Sequence, residues 1–165
     1  MLVSALPENE RMVVGLLTMF ETGKPWRVYD QVTLKEGDGG GLTYGWCQAA
    51  LCTKNNWLVK MLERYVEREG SRASEVSSWL PALRVRGPLA QSSAGLHRLL
   101  RELGSDDVMK EAQDWVGLYE LGRAKMLMVE RGWIEDLTML VVYDSVIHGG
   151  FEICERFVRA GMMKT

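Results

Sequence analysis

Glu21 and Asp38 are the two residues of this chain whose types and setting suit acid–base chemistry. Glu21 closes an apolar helical pattern, and Asp38 lies seventeen positions later in the glycine-dense run Glu36-Gly37-Asp38-Gly39-Gly40-Gly41-Leu42-Thr43-Tyr44-Gly45. A helix end fixes one carboxyl group, while glycines let a loop pass close beneath an extended substrate. Two carboxyl groups on opposite sides of one bond can protonate a leaving oxygen and activate a water, which is the requirement of glycosidic hydrolysis.

The elements that must hold these groups are mostly helical. Met12, Val13, Leu16, Leu17 and Phe20 recur at helical spacing over Glu8 to Phe20; Ser4 and Pro7 suit the start, and Gly23 and Pro25 the stop. Glu21 then sits in the last turn, where the negative end of the helix dipole opposes a carboxylate charge; a general acid, which must hold its proton, tolerates this better than a surface ion does. Trp26 to Thr33 is compatible with a short continuing helix, and Leu42 to Ala50 with a small hairpin or strand pair. Further helices are predicted around Trp57 to Val66, Ser77 to Leu83, Leu96 to Leu103, Leu137 to His148 and Phe151 to Met162. The longest spans Asp106 to about Gly132 and carries Gly117 and Gly122, for which close packing or a bend is the expected reason.

Composition narrows the function classes. With 165 residues, 47% of them hydrophobic, the chain is expected to form one domain with a full core over residues 1–165. Twenty Lys plus Arg against twenty-two Asp plus Glu give a net charge of -2, so no basic excess points to nucleic acid. No apolar run approaches the roughly 20 residues of a membrane span, and Met1 to Ala5 lacks the pattern of a secretion signal. Synthesis in the cytoplasm, with action on a cell wall after release or delivery, is the corresponding expectation. Cys47, Cys52 and Cys154 lack zinc-ligand spacing; free thiols are favoured over a Cys47–Cys52 disulfide.

Several stretches, in order, resemble the chitosanases of glycoside hydrolase family 46, within the lysozyme-like superfamily. These are Glu21 at the end of the first helix, the aromatic-led Trp26 and Tyr29, and Asp38, Gly39, Gly41 and Thr43. Leu80-Pro81-Ala82-Leu83, Tyr143-Asp144 and His148-Gly149 follow. The resemblance implies a mainly α fold of the lysozyme-like α+β type, with a small β-hairpin or sheet near residues 33–50. It also implies an inverting reaction with Glu21 as general acid, Asp38 as general base and Thr43 helping to hold the attacking water. Inversion needs the two carboxyl groups roughly 6.5–9.5 Å apart. The chain departs from that family in its shorter length, in Glu36 where an apolar residue is usual, and in Gly40 where an arginine is usual.

By themselves these residues also admit ordinary roles: Glu21 as a solvated helix end, Asp38 as a turn residue and Thr43 as a strand residue. Glu36 competes with Asp38 for the base role. Trp26, Tyr44 and Trp46 flank the acid and the glycine loop and are the candidates for stacking on sugar rings. Asp144, inside an apolar helix, suits structural support through a pair with Arg123 or Arg159. His148 suits capping of a helix end, which leaves both histidines outside the reaction. The reading is a hydrolase of β-1,4 bonds in an amino-sugar polymer, needing no cofactor or metal. Peptidoglycan, cut in the manner of a phage lysin or cell-wall toxin, is the first substrate and chitosan the alternative. A non-catalytic glycan-binding or phage structural protein on the same fold is the rival class.

Overall fold

The computed structural model describes residues 3–34, 39–148, 150–153 and 155–156. After a short 3-10 turn at Val3–Ala5, helix α1 runs over Glu8–Thr22 and stops at Gly23, whose left-handed backbone (φ 72°) lets its N–H reach the Met19 carbonyl. Three short strands follow: β1 (Val32–Leu34), β2 (Leu42–Tyr44) and β3 (Ala49–Ala50). They form one antiparallel sheet in the order β1-β2-β3, with Thr33 opposite Thr43 and Thr43 opposite Ala50. The remaining helices are α2 (Trp57–Glu67), α3 (Ala73–Arg84), α4 (Pro88–Gln91), α5 (Ala94–Leu103), α6 (Asp107–Arg131) and α7 (Asp136–Ile147). The fold is α-dominant with a minor sheet, as the lysozyme-like expectation requires.

Helix α6 is the spine. Its 25 residues extend about 37 Å at 1.5 Å per residue, and it packs against both α2 and α7. Asp106 caps its start by accepting the Val108 N–H at 2.8 Å, and Gly132 ends it in the left-handed conformation. Helix α1 buries Val13, Val14 and Leu17 and packs against α7, and the end of α1 that bears Glu21 meets the end of α7 that bears His148.

The sequence suggested a helix over Trp26 to Thr33; the chain instead runs there without helix until β1 begins at Val32. Its polar groups are drawn onto α6: Arg27 and Tyr29 both donate to Asp114, and the Tyr29 carbonyl accepts from Gln113 at 2.8 Å. Of the last expected helix, Phe151 to Ile153 and residues 155 and 156 are helical, and the remainder lies outside the described residues. Cys47 and Cys52 are free thiols. Among the described residues no helix is long and apolar enough to cross a membrane.

Gly117 explains itself through packing. A Cβ there would stand 2.2 Å from the ring of the fully buried Trp46, so the indole lies directly on the α6 backbone. The Tyr143 hydroxyl donates to the Gly117 carbonyl at 2.9 Å from the α7 side. Gly122, by contrast, has nothing within 4 Å of its missing Cβ. In urea unfolding, Gly117→Ala is expected to lose about 1–3 kcal/mol through overpacking. Gly122→Ala is expected to gain up to about 1 kcal/mol through helix propensity.

Candidate active site

Glu21 and Thr43 face one cleft of about 540 Å³, whose other walls include Gly39, Gly40, Gln48 and His148. The volume suits several atoms of an extended ligand. Glu21 comes from the end of α1, Thr43 from the middle of the sheet, and His148 from the C-cap of α7. Thr43 can point into the cleft because β2 alternates: Leu42 and Tyr44 on either side are buried in the core.

Around Thr43 the hydrogen-bond directions are fixed. Its hydroxyl donates to Gln48 Oε1 at 2.7 Å, with the Thr33 carbonyl farther off at 3.3 Å. Gln48 is oriented in turn by its own Nε2, which donates to the Gly45 carbonyl at 2.8 Å. Gln48 holds a left-handed backbone (φ 45°), a conformation that costs energy for a non-glycine residue and that turns its side chain back toward β2. With its one proton committed to Gln48, the Thr43 oxygen keeps its lone pairs for a donor in the cleft.

Glu21 lines the same cleft and is largely enclosed. Glu21 Oε1 lies 2.7 Å from His148 Nε2, and the Glu21 side chain is only 11% exposed while that of His148 is 56% exposed. Asp144 Oδ1 is 3.7 Å from the same nitrogen. The hydrogen bond to Glu21 raises the His148 pKa above its ordinary 6.5; burial opposes the shift, and the charges of Glu21 and Asp144 add to it. The stabilisation from this histidine is therefore complete below its unfolded value and is lost as pH rises through the raised folded one. Donor atoms of Glu21, Asp144 and His148 all fall within 4.8 Å of one another. The 2.7 Å approach is that of a hydrogen bond; ligands sharing a tetrahedral ion with bonds of about 2.0–2.1 Å sit roughly 3.3 Å apart. The trio reads as a hydrogen-bonded acid.

Behind the cleft, Asp114 on α6 is buried at 3% exposure and accepts from Arg27 at 3.1 Å, Tyr29 at 3.0 Å and the Trp46 indole at 3.2 Å. Gln113 Oε1 also accepts the Trp46 backbone N–H at 3.3 Å. Gly45, which precedes Trp46, has φ 81°, and a Cβ there would come 2.1 Å from Gln113. Only glycine fits that turn. Cys47 beside it is shut away from the cleft, and burial pushes its thiol up to about 12, which leaves it inert.

The sequence-predicted residues separate accordingly. Glu21 and Thr43 share the cleft. Asp38 and its rival Glu36 lie outside the described residues, although Gly39, next to Asp38, lines the cleft wall. Tyr44 and Trp46 are not sugar platforms: both are fully buried in the core, Trp46 between α6 and the sheet turn. Trp26 is 64% exposed but borders a separate hollow with Val3, Arg11 and Val14, away from Glu21. Asp144 is not a buried ion paired with Arg123, since it is 44% exposed and faces His148, while Arg123 pairs with Glu120 at 2.7 Å. Arg159 lies outside the described residues. His148 does not cap α7 with its side chain; the imidazole crosses to Glu21. Its place four residues after Asp144 is the sequence signal that joins the two on one helix face. Gln48 carried no comparable signal.

Asp114→Ala leaves the buried Trp46 indole and the half-buried Arg27 and Tyr29 without their acceptor. A loss of about 3 kcal/mol or more is expected in urea unfolding, with a changed tryptophan emission from Trp46.

No protein-family model and no curated protein matches the sequence. Solved structures do match. The family GH46 chitosanase of Gynuella sunshinyii, in complex with chitotetraose, aligns with a TM-score of 0.74 at 22% identity over 88% of this chain. The native chitosanase of Bacillus subtilis MY002 aligns with a TM-score of 0.73 at 24% identity over 88% of this chain. A mutant of the latter enzyme, complexed with 6 GlcN, aligns at 23% identity. This chain spans 60% and 61% of the lengths of the Gynuella and native Bacillus proteins. What it shares with them is the chitosanase-like, lysozyme-like fold.

Proposed function

We propose that this chain is a glycoside hydrolase acting by inversion on β-1,4 bonds of an amino-sugar polymer, with chitosan as the substrate. The observation that carries the reading is the presence, in the lining of one cleft, of a nearly enclosed carboxyl group and of a hydroxyl whose proton is committed elsewhere. The rival class, a glycan-binding protein without catalysis, has less use for either feature.

Glu21 serves as the general acid and gives its proton to the glycosidic oxygen as the C–O bond breaks. On the other wall a water donates one hydrogen to Thr43 Oγ1 and the second to the base. Its lone pair is then directed away from both, toward the anomeric carbon. Asp38 is the base in this reading, supported by its position beside the cleft-lining Gly39. The base holds the water's proton and releases it to solvent after the products leave. The protein contributes placement and proton transfer, and inversion follows from attack opposite the leaving group.

Chitosan is favoured over peptidoglycan by charge. Among the described lining residues there is no Lys or Arg, and the charge of the lining His148 is offset by Glu21 and by Asp144 beside it, so the wall presents no net positive charge to repel the ammonium groups of glucosamine. The solved structures in complex with chitotetraose and with 6 GlcN agree in substrate class. Peptidoglycan, suggested by sequence context, has no structural observation behind it and forms the second arm of the test.

Reducing-end release from chitosan and from peptidoglycan decides the matter. Wild type is expected to cut chitosan, Glu21→Gln to lose about 10²-fold or more, and Thr43→Val to lower kcat at least about tenfold with KM little changed. Cutting of peptidoglycan alone transfers the reading to a wall-degrading enzyme. If neither polymer is cut, the glycan-binding class replaces it.

A further inference from the structure

We infer that His148 supplies the proton that Glu21 donates, acting as a relay between bulk solvent and an acid that solvent scarcely reaches. The inference rests on the hydrolase reading and assigns His148 a role through Glu21, with no contact to the bond being broken.

Accessibility is the first argument. The Glu21 side chain is 11% exposed and the His148 side chain 56%, and the two meet at 2.7 Å between Oε1 and Nε2. An acid must be recharged after every turnover, and here the half-open imidazole is the group bonded to it. Chemistry is the second. Imidazole is the side chain that takes up and releases protons near neutral pH, and a 2.7 Å hydrogen bond is the geometry for direct transfer.

Surroundings are the third argument. On its own helix α7, His148 faces Asp144 at 3.7 Å, and from α1 it faces Glu21. From the sheet side, the lining residues Gln31, Thr33, Thr43, Gln48 and Thr53 carry no charge. Glu36 and Asp38, between β1 and β2 in the sequence, lie outside the described residues. Among the described groups His148 therefore sees two carboxylates and no cation, which favours its charged, proton-donating form.

The relay balances. In the open cleft the pair holds one proton, as imidazolium beside carboxylate. A polymer settling over the cleft removes the water that favours separated charges, and the neutral pair gains relative to the ion pair. The Nε2–H bond breaks, its electron pair stays on Nε2, and an Oε1–H bond forms. Glu21, now a carboxylic acid, protonates the leaving oxygen. When products depart, Nε2 takes a proton from solvent, matching the one that the base releases.

The two variants His148→Gln and Glu21→Gln separate the outcomes. His148→Gln keeps an amide N–H for Glu21 but cannot titrate. The alkaline limb of its kcat–pH profile on chitosan is expected to shift to lower pH by about one to two units, approaching the roughly two-unit gap between ordinary imidazole and carboxyl groups. At neutral pH this appears as a loss of tenfold or more that shrinks as the pH is lowered. A limb coincident with wild type, or an equal loss at every pH, overturns the relay. Independently of activity, the ring-proton resonances of His97 and His148 are titrated by NMR in wild type and Glu21→Gln. The His148 midpoint is expected above 6.5 in wild type and lower in the variant. A midpoint unmoved by Glu21→Gln overturns the coupling even in an active enzyme. A wild type that cuts neither polymer overturns the hydrolase reading, and the relay with it.

Discussion

Asp114 is a carboxylate placed inside the core on the central helix, and its need for donors organises the structure around it. A buried charge without partners is expensive, so the chain brings Arg27, Tyr29 and Trp46 to it from two separate segments. One segment joins α1 to β1; the other is the turn between β2 and β3. The acid and the sheet that flank the cleft are thus tied to the same helix turn. Gln113 beside it repeats the arrangement with backbone groups, the Trp46 N–H and the Tyr29 carbonyl. Glycines at positions 45 and 117 are what allow Trp46 to lie that close to α6.

The longer helices were legible in the sequence because their apolar spacing is local, whereas the four-residue α4 at Pro88–Gln91 was not. α1, α2, α6 and α7 all lie close to where their periodicity puts them, and the position of Glu21 in a last turn follows from Gly23 alone. The stretch after Trp26 was not legible, since its conformation is set by Asp114, about 85 residues away, rather than by its own pattern. Tyr44 and Trp46 misled for a related reason. An aromatic beside a glycine loop reads equally as a sugar platform or as core, and only the strand alternation and the Gly117 contact decide for core. His148 is the converse case. Its helix position was readable, but its partner Glu21 is 127 residues distant, so a local capping role was the simpler reading.

Direction matters as much as position in the cleft. The Thr43 hydroxyl is an acceptor toward the cleft because Gln48 has taken its proton, and Gln48 is available to do so because the Gly45 carbonyl orients its amide. A strained backbone at Gln48 sustains this chain of bonds, which is the kind of site at which local strain serves a function. The same glycine turn therefore serves two purposes. Its backbone lets Trp46 enter the core, and its carbonyl sets the polarity of the water-facing hydroxyl.

The identity of the residue beside Glu21 is consequential in the same way. A guanidinium in that place would hold the carboxylate in a permanent ion pair, because it does not surrender its proton at any working pH. An ammonium would keep its proton almost as firmly. Imidazole alone among the cationic side chains can stabilise the carboxylate in the open cleft and then become neutral when the surroundings turn dry. Asp144 reinforces the charged state of that imidazole from 3.7 Å without competing for the hydrogen bond, so the proton is held near Glu21 yet remains transferable to it.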